Sequence, residues 1–275
     1  MIGANGRQLL RPGFVLGLTF LATLFVAAIA APYLAGSDPI EQSLSDSLAL
    51  PSADHLLGCD KLGRDQFSRL LYGARVSLTV GLAAVALSAT IGIAVGATAG
   101  YAGGVVDFWL MRVVDVLLAF PGILLAIAFA AILGPGLTNV VIALSLVGWT
   151  TYARLVRGEV LSLKARPHVE AAVALGLPSN RIVRSHVLPL LAAPLVVQAT
   201  FGVASAIVGE ASLSFLGLGV QAPQASWGAM VNDGRSFLLV APHLTIFPGL
   251  AIAIAVLGVH LVGEDLRVRF ARKGP

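Results

Sequence analysis

Two long stretches without a single charged residue, 76–106 and 116–153, constrain this chain more than any other feature. A helix rises about 1.5 Å per residue, so about 20 apolar residues cross the hydrocarbon of a bilayer. The first stretch is long enough for one crossing. The second is long enough for two, and Gly134-Pro135-Gly136 supplies a turn signal between them. Pro121-Gly122 predicts a kink in the first of that pair. Further apolar runs at 14–34, 191–210 and 244–263 bring the expected crossings to six. Composition agrees, with 57 % hydrophobic and 12 % charged residues and a mean hydropathy of +0.89, outside the range of soluble globular chains. The expected fold class is therefore all-α, a polytopic membrane bundle.

The charges set the orientation. Thirteen Lys and Arg fall on one side of six crossings: Arg7, Arg11, Arg112, Arg154, Arg157, Lys164, Arg166, Arg181, Arg184, Arg267, Arg269, Arg272 and Lys273. Five fall on the other: Lys61, Arg64, Arg69, Arg75 and Arg235. The positive-inside tendency puts the larger set, and both termini, in the cytoplasm. It also accounts for the net charge of +4 without nucleic acid. The lone Cys59 excludes an internal disulfide. Ala28-Ile29-Ala30 could imitate a signal-peptidase site, but the apolar run before it exceeds the usual 7–15 residues of a signal core, so a retained first helix is expected.

The polar segment 35–75 reads as an external loop. Within it, Phe67, Leu70, Leu71 and Ala74 lie at helical spacing against Arg64, Asp65, Ser68 and Arg69, which predicts a helix lying in the interface. The chain accordingly divides into 1–75, a first membrane helix plus loop, and 76–275, a core of five further helices. Ser88, Gly92, Gly96, Gly100 and Gly104 form a small-residue stripe suited to close helix packing, within this chain or against a second one. Asp107, Arg112 and Asp115 mark a short connection.

Between the fourth and fifth crossings lies a polar loop, about 158–190, and Arg154, Arg157, Lys164 and Arg166 leading into it with Arg181 and Arg184 within it make the densest basic cluster of the chain. Pro167 suits a first helical position and Gly176 the position just past a helix end. Val169, Ala172, Val173 and Gly176 make one small apolar side that could approach another backbone closely. Pro178 can open a second helix, and Pro189 and Pro194 punctuate the entry to the next crossing. Periodicity alone supports a short helical elbow at a membrane surface.

The order Glu170-Ala171-Ala172, three residues, Gly176, nine residues, then His186-Val187-Leu188-Pro189 resembles the EAA motif of ABC-importer membrane subunits. His186 stands where the general form has Ile, and a His-hydrophobic-Leu-Pro ending is usual in the peptide and nickel branch. The segment 55–78, HLLGCDKLGRDQFSRLLYGARVSL, resembles that family's loop signature, with Leu56 for the usual Pro and Cys59 for the usual Thr. GEASLSFLGLG and SWGAMV, at 209–219 and 226–231, continue the likeness. The resemblance implies a type I ABC importer permease with six transmembrane helices. Its coupling residues would be Glu170, Ala171, Ala172, Gly176, His186, Leu188 and Pro189, docking into a groove of the ATP-hydrolysing subunit. It also implies a second permease chain, two ATP-binding subunits and an extracytoplasmic binding protein. The implied cargo is a dipeptide or oligopeptide, with nickel or glutathione as alternatives. No GxxxxGK[ST] cradle occurs, so ATP and Mg²⁺ are expected on the partner subunits and no cofactor in this chain.

Two other classes compete with this reading. Secondary transporters carry ionisable groups at membrane depth. Here Glu210 is the one carboxylate candidate, either a group at the outer mouth of a pathway or a helix-end carboxylate bonded within its own turn, and His260 reads as interfacial. An intramembrane enzyme lacks support, with neither HExxH nor GxSxG present and no catalytic residue expected. His55 and Cys59, beside Asp54 and Asp60, fall short of a structural zinc site and no metal is expected.

Overall fold

The computed structural model describes residues 12–273, and every regular element among them is helical. The uncharged stretches become long helices: α1 (Pro12–Ile29), followed at once by the single turn α2 (Ala31–Leu34), then α3 (Gln66–Ala102), α6 (Leu137–Lys164), α9 (Ala192–Phe215) and α11 (His243–Lys273). With α9 reached through the elbow, five helices are long and apolar enough to cross a membrane. The sixth crossing is the pair α4 (Gly104–Leu118) and α5 (Gly122–Leu133), which meet at 91°. The twelve residues of α5 rise only about 18 Å, so neither half spans the hydrocarbon by itself. Arg7 and Arg11 lie outside the described residues.

The bend at Pro121 is far sharper than a kink, and what precedes it is not the short connection expected at Asp107–Asp115. That segment is helical because its acids are paired across to α6. Asp107 accepts two hydrogen bonds from Arg157, at 2.5 and 2.6 Å, and Asp115 one from Arg154 at 2.8 Å. Gly103, at φ 67°, makes the turn from α3 into α4. At the other end of α5, Asn139 Nδ2 donates to the carbonyls of Leu133 and Gly134, closing the Gly134-Pro135-Gly136 turn.

The interfacial helix expected over residues 67–74 is also corrected. Those residues are the first two turns of α3, and the boundary drawn at 75–76 falls inside that helix. No breaker separates Ala74 from Val76, and the polar side of these turns is buried by protein instead of facing water: Gln66, Ser68 and Arg69 are all buried. Asp65 caps the helix, its side chain accepting from the Ser68 amide at 2.7 Å. The C-terminal tail, expected to leave the membrane after Gly263, likewise continues as helix to Lys273, with Glu264–Arg267 and Asp265–Arg269 pairs along it.

The small-residue stripe finds its partner within the chain. A Cβ on Gly92 would come within 2.4 Å of Tyr152 Cβ, and one on Gly96 within 2.4 Å of the Ala153 carbonyl oxygen. Ser88 and Gly100 continue this seam between α3 and α6, whereas Gly104 faces open space. Around the seam, α9, α11 and α1 pack through Ala28, Ala74, Ile207, Ala251 and Ala255.

Candidate functional site

At one end of the bundle, here the elbow end, α7 (Pro167–Ala174) opens with Pro167 at its first turn and closes on Gly176 at φ 73°. The Gly176 amide donates to Val173 O at 2.9 Å and the Leu177 amide to Ala172 O at 3.2 Å, the paired bonds of a Schellman closure. Four residues, Ser179–Ile182, form α8. A π-turn at Val183–Val187 and a 3₁₀ turn at Leu188–Leu191 then lead directly into α9. Pro189 has no amide hydrogen to give and its ring crowds the preceding turn, which accounts for the irregular winding there.

The apolar side expected on α7 splits between two surroundings. Val169 and Ala172 are buried in a cluster with Val156, Val160 and Leu163 of α6, Ala97 of α3, and Ile182, Val187 and Leu191. Leu177 and Leu188 pack against the same cluster. These residues seat the elbow on the ends of α3 and α6. Glu170, Ala171, Val173 and Gly176 remain exposed, as does Leu175, which is 80 % exposed. Pro189 is exposed, and His186 is half-buried with its Nδ1 enclosed and unpaired. Leu175 did not stand out in the sequence because its role depends on which side of α7 the seat occupies.

The opposite, loop end is held by buried charge. Arg64 Nε donates to Asp60 Oδ2 at 2.6 Å, Arg69 stands 3.5 Å from the same carboxylate, and Lys61 reaches Asp233 at 2.9 Å. His55 Nδ1 lies 3.1 Å from Asp65 Oδ1. Of the candidate metal ligands, His55 is thus engaged by Asp65 and Asp60 by Arg64 and Arg69. Burial, together with the nearby Asp65, Asp46 and Asp60, pushes the Cys59 thiol up to about 11, leaving it protonated near neutral pH. The short helix α10 (Trp227–Gly234) dips back into this end, where Trp227 is buried, its Nε1 donating to Leu70 O at 3.1 Å across from Gly73.

Glu210 is fully enclosed in α9. Ser214, one turn on, donates to its Oε1 at 2.7 Å, and Ser77 of α3 donates to Oε2 at 3.1 Å. Ser77 in turn accepts from the Trp227 amide at 3.3 Å. The carboxylate therefore bonds within its own turn and also ties α9, α3 and α10 together. It does not line either large cavity.

One of those cavities, about 560 Å³, lies among α3, α5, α6 and α9, with Ser88, Thr151, Tyr152, Gln198, Ser205 and Ser212 on its walls and no charged side chain. The other, about 820 Å³, opens at the loop end between residues 35–40, Tyr72, Arg75 and Pro223–Ala225. Neither was legible in the sequence, since both arise where separate helices diverge.

A bundle with several helices long and apolar enough to cross a membrane, a seated elbow and an uncharged cavity between its helices has the architecture of a membrane transport subunit. Residues 92–273 match the family described as Binding-protein-dependent transport system inner membrane component, and the chain belongs to that family as the permease subunit of an ABC importer. It is 45 % identical to the dipeptide transport system permease protein of Alkalihalophilus pseudofirmus, over 92 % of this chain and 83 % of that one. It is 42 % identical to the Bacillus subtilis dipeptide transport system permease protein, over 91 % and 79 %. The glutathione transport system permease protein of Pectobacterium atrosepticum is 44 % identical over 91 % of this chain and 82 % of its own length.

Proposed function

We propose that this chain is one permease half of an importer for dipeptides or oligopeptides, with its elbow end and both termini in the cytoplasm. It would pair with a second permease chain, two ATP-binding subunits that hold ATP and Mg²⁺, and an extracytoplasmic binding protein. The observation that carries the coupling role is the division of α7. Val169 and Ala172 anchor it to α3 and α6, while Glu170, Ala171, Val173 and Leu175 are left on the outside. A partner groove that grips the exposed side moves the whole seat, because cores pack too densely to deform locally. ATP binding closes the two motor subunits, the elbow follows, and α6 and α9, which it joins, carry the displacement into the membrane. Hydrolysis releases it. The names of the relatives favour peptide cargo, with glutathione, itself a peptide, as the second reading.

The test is compositional. The chain tagged at its C-terminus and extracted in mild detergent should bring down a second permease and ATP-binding subunits in fixed ratio, identified by mass spectrometry. Recovery of this chain alone, active in proton- or sodium-driven uptake after reconstitution, would replace the proposal with an ion-coupled transporter.

A further inference from the structure

We propose that the cavity among α3, α5, α6 and α9 is this chain's part of the cargo route, and that it binds peptide main chain through Ser88, Thr151, Gln198 and Ser205. The inference rests on the peptide-importer reading and adds to it where the cargo is held and by what chemistry.

Polar side chains in the other parts of these helices mostly satisfy themselves. Thr90, Thr98, Thr150 and Thr200 each donate to a carbonyl three or four residues back, at 2.7–2.8 Å, as does Ser212 at the cavity's edge. Among the described residues the hydroxyls of Ser88, Thr151 and Ser205 and the side-chain amide of Gln198 find no hydrogen-bond partner, and all four border the one cavity. Ser88 is only 3 % exposed, so its hydroxyl is not spent on bulk water. Of the four, Ser88 is enclosed, Gln198 is half-buried, and Thr151 and Ser205 are exposed where they border the cavity, so a ligand or water there that both gives and accepts hydrogen bonds can satisfy them together.

The chemistry of the four selects the class of ligand. Hydroxyls and a carboxamide donate and accept, as does each unit of a peptide main chain. No Asp, Glu, Lys or Arg lines the space, so charged cargo side chains meet neither a partner nor a repelling group. Recognition of this kind holds any short peptide and discriminates little among side chains. The volume, about 560 Å³, lies within the usual range of small-ligand sites. A lipid tail would leave all four polar groups unpaired.

Its position links it to the motor. Thr151 and Tyr152 belong to α6, and Gln198, Gly202 and Ser205 to α9, the two helices that the elbow joins. They touch beside the cavity, where a Cβ on Gly202 would lie 2.6 Å from Tyr152 Oη. Displacing the elbow therefore moves opposite walls of the cavity against each other.

The experiment uses the whole complex, two permeases, two ATP-binding subunits and binding protein, in proteoliposomes, with Cys59→Ser as background. Thr151→Cys and Ser205→Cys are each exposed to a hydrophilic thiosulfonate during ATP turnover, with and without saturating dialanine. Labelling that needs turnover, and that dialanine slows about tenfold or more as a competing ligand at a shared site should, supports the assignment. Gln198→Leu should raise the KM for dialanine uptake about tenfold, the loss of one to two hydrogen bonds, and Gln198→Asn should recover part of it. Binding-protein-stimulated ATPase activity in every variant confirms that the assembly is intact. Cysteines that stay unlabelled while uptake proceeds, or that react at a rate no transported cargo changes, would overturn the assignment and mark the cavity as lipid-filled or closed by the second permease. A wild-type complex that carries glutathione and no dipeptide would instead overturn the choice of cargo, and protection of the same two cysteines by glutathione would still support the site.

Discussion

The two ends of the bundle handle charge in opposite ways. At the loop end Asp60, Arg64 and Arg69 are buried and paired, and Asp233 of α10 is drawn into the same network. At the elbow end Arg166, Glu170, Arg181 and Arg184 are exposed and make no ion pair among the described residues. A buried charge must find its partner within the fold, whereas an exposed one is free to meet a partner from outside. One end is therefore closed by the chain's own side chains, and the other presents an apolar tip at Leu175 rimmed by unpaired charges. The contrast predicts that changes at the loop end cost stability and changes at the elbow cost coupling.

The sharpest way to break that contrast is at the elbow. Deleting 170–176, or making Gly176→Trp at its φ of 73°, should abolish uptake while leaving membrane insertion unchanged, measured by transport assay beside a surface-labelling topology assay. Normal transport by either variant would remove the elbow from the mechanism. At the loop end the loss should appear as stability instead. Arg64→Ala leaves Asp60 enclosed with its best partner gone, at a cost of about 3–5 kcal/mol, read as a lowered thermal midpoint in detergent. An unchanged midpoint would mean that the clasp holds nothing.

Between the ends, Gly96→Leu would push into the Ala153 carbonyl and should cost at least about 1–3 kcal/mol, seen as reduced folded yield. A smaller effect is expected when Arg181 and Arg184 are both changed to Gln. Association with the ATP-binding subunits should weaken several-fold at low salt and hardly at all in high salt, because exposed charges are screened beyond about 10 Å at 0.1 M. Salt-independent loss would point to packing and not charge at this rim. The smallest effect belongs to Cys59. Only the thiolate reacts, so with the thiol pushed up to about 11 its alkylation should be slow at pH 8 and should climb as pH rises toward that value. Fast modification at pH 8 would show that the loop end opens to solvent.

Much of the architecture could be read from residue order because a bilayer permits few solutions. Runs such as 76–106 must be helical once backbone groups have no water to bond, and Pro167 and Gly176 mark the limits of α7 by their own backbone restrictions. The elbow's place in the chain and the family likeness were legible for the same reason, since both rest on local order. Elements that failed this reading did so through contacts distant in sequence. Residues 66–74 looked amphipathic toward an interface, but their polar side meets Asp60, Asp233 and Leu244 O, none of which periodicity can place. The acids at 107 and 115 looked like a connection until Arg157 and Arg154 paired with them.

Local propensity and the cost of exposed backbone in hydrocarbon thus decide where this chain is helical and roughly how often it crosses. They say nothing about direction. Which side of α7 turns inward, whether the glycine stripe meets its own chain, where Glu210 finds its two serines and which hydroxyls are left over to line a cavity all depend on the angles at which helices cross. Those angles follow from packing Gly92 and Gly96 against Tyr152 and Ala153, residues some sixty positions away. Such close approach is a property of surfaces brought together, and only the folded molecule contains it.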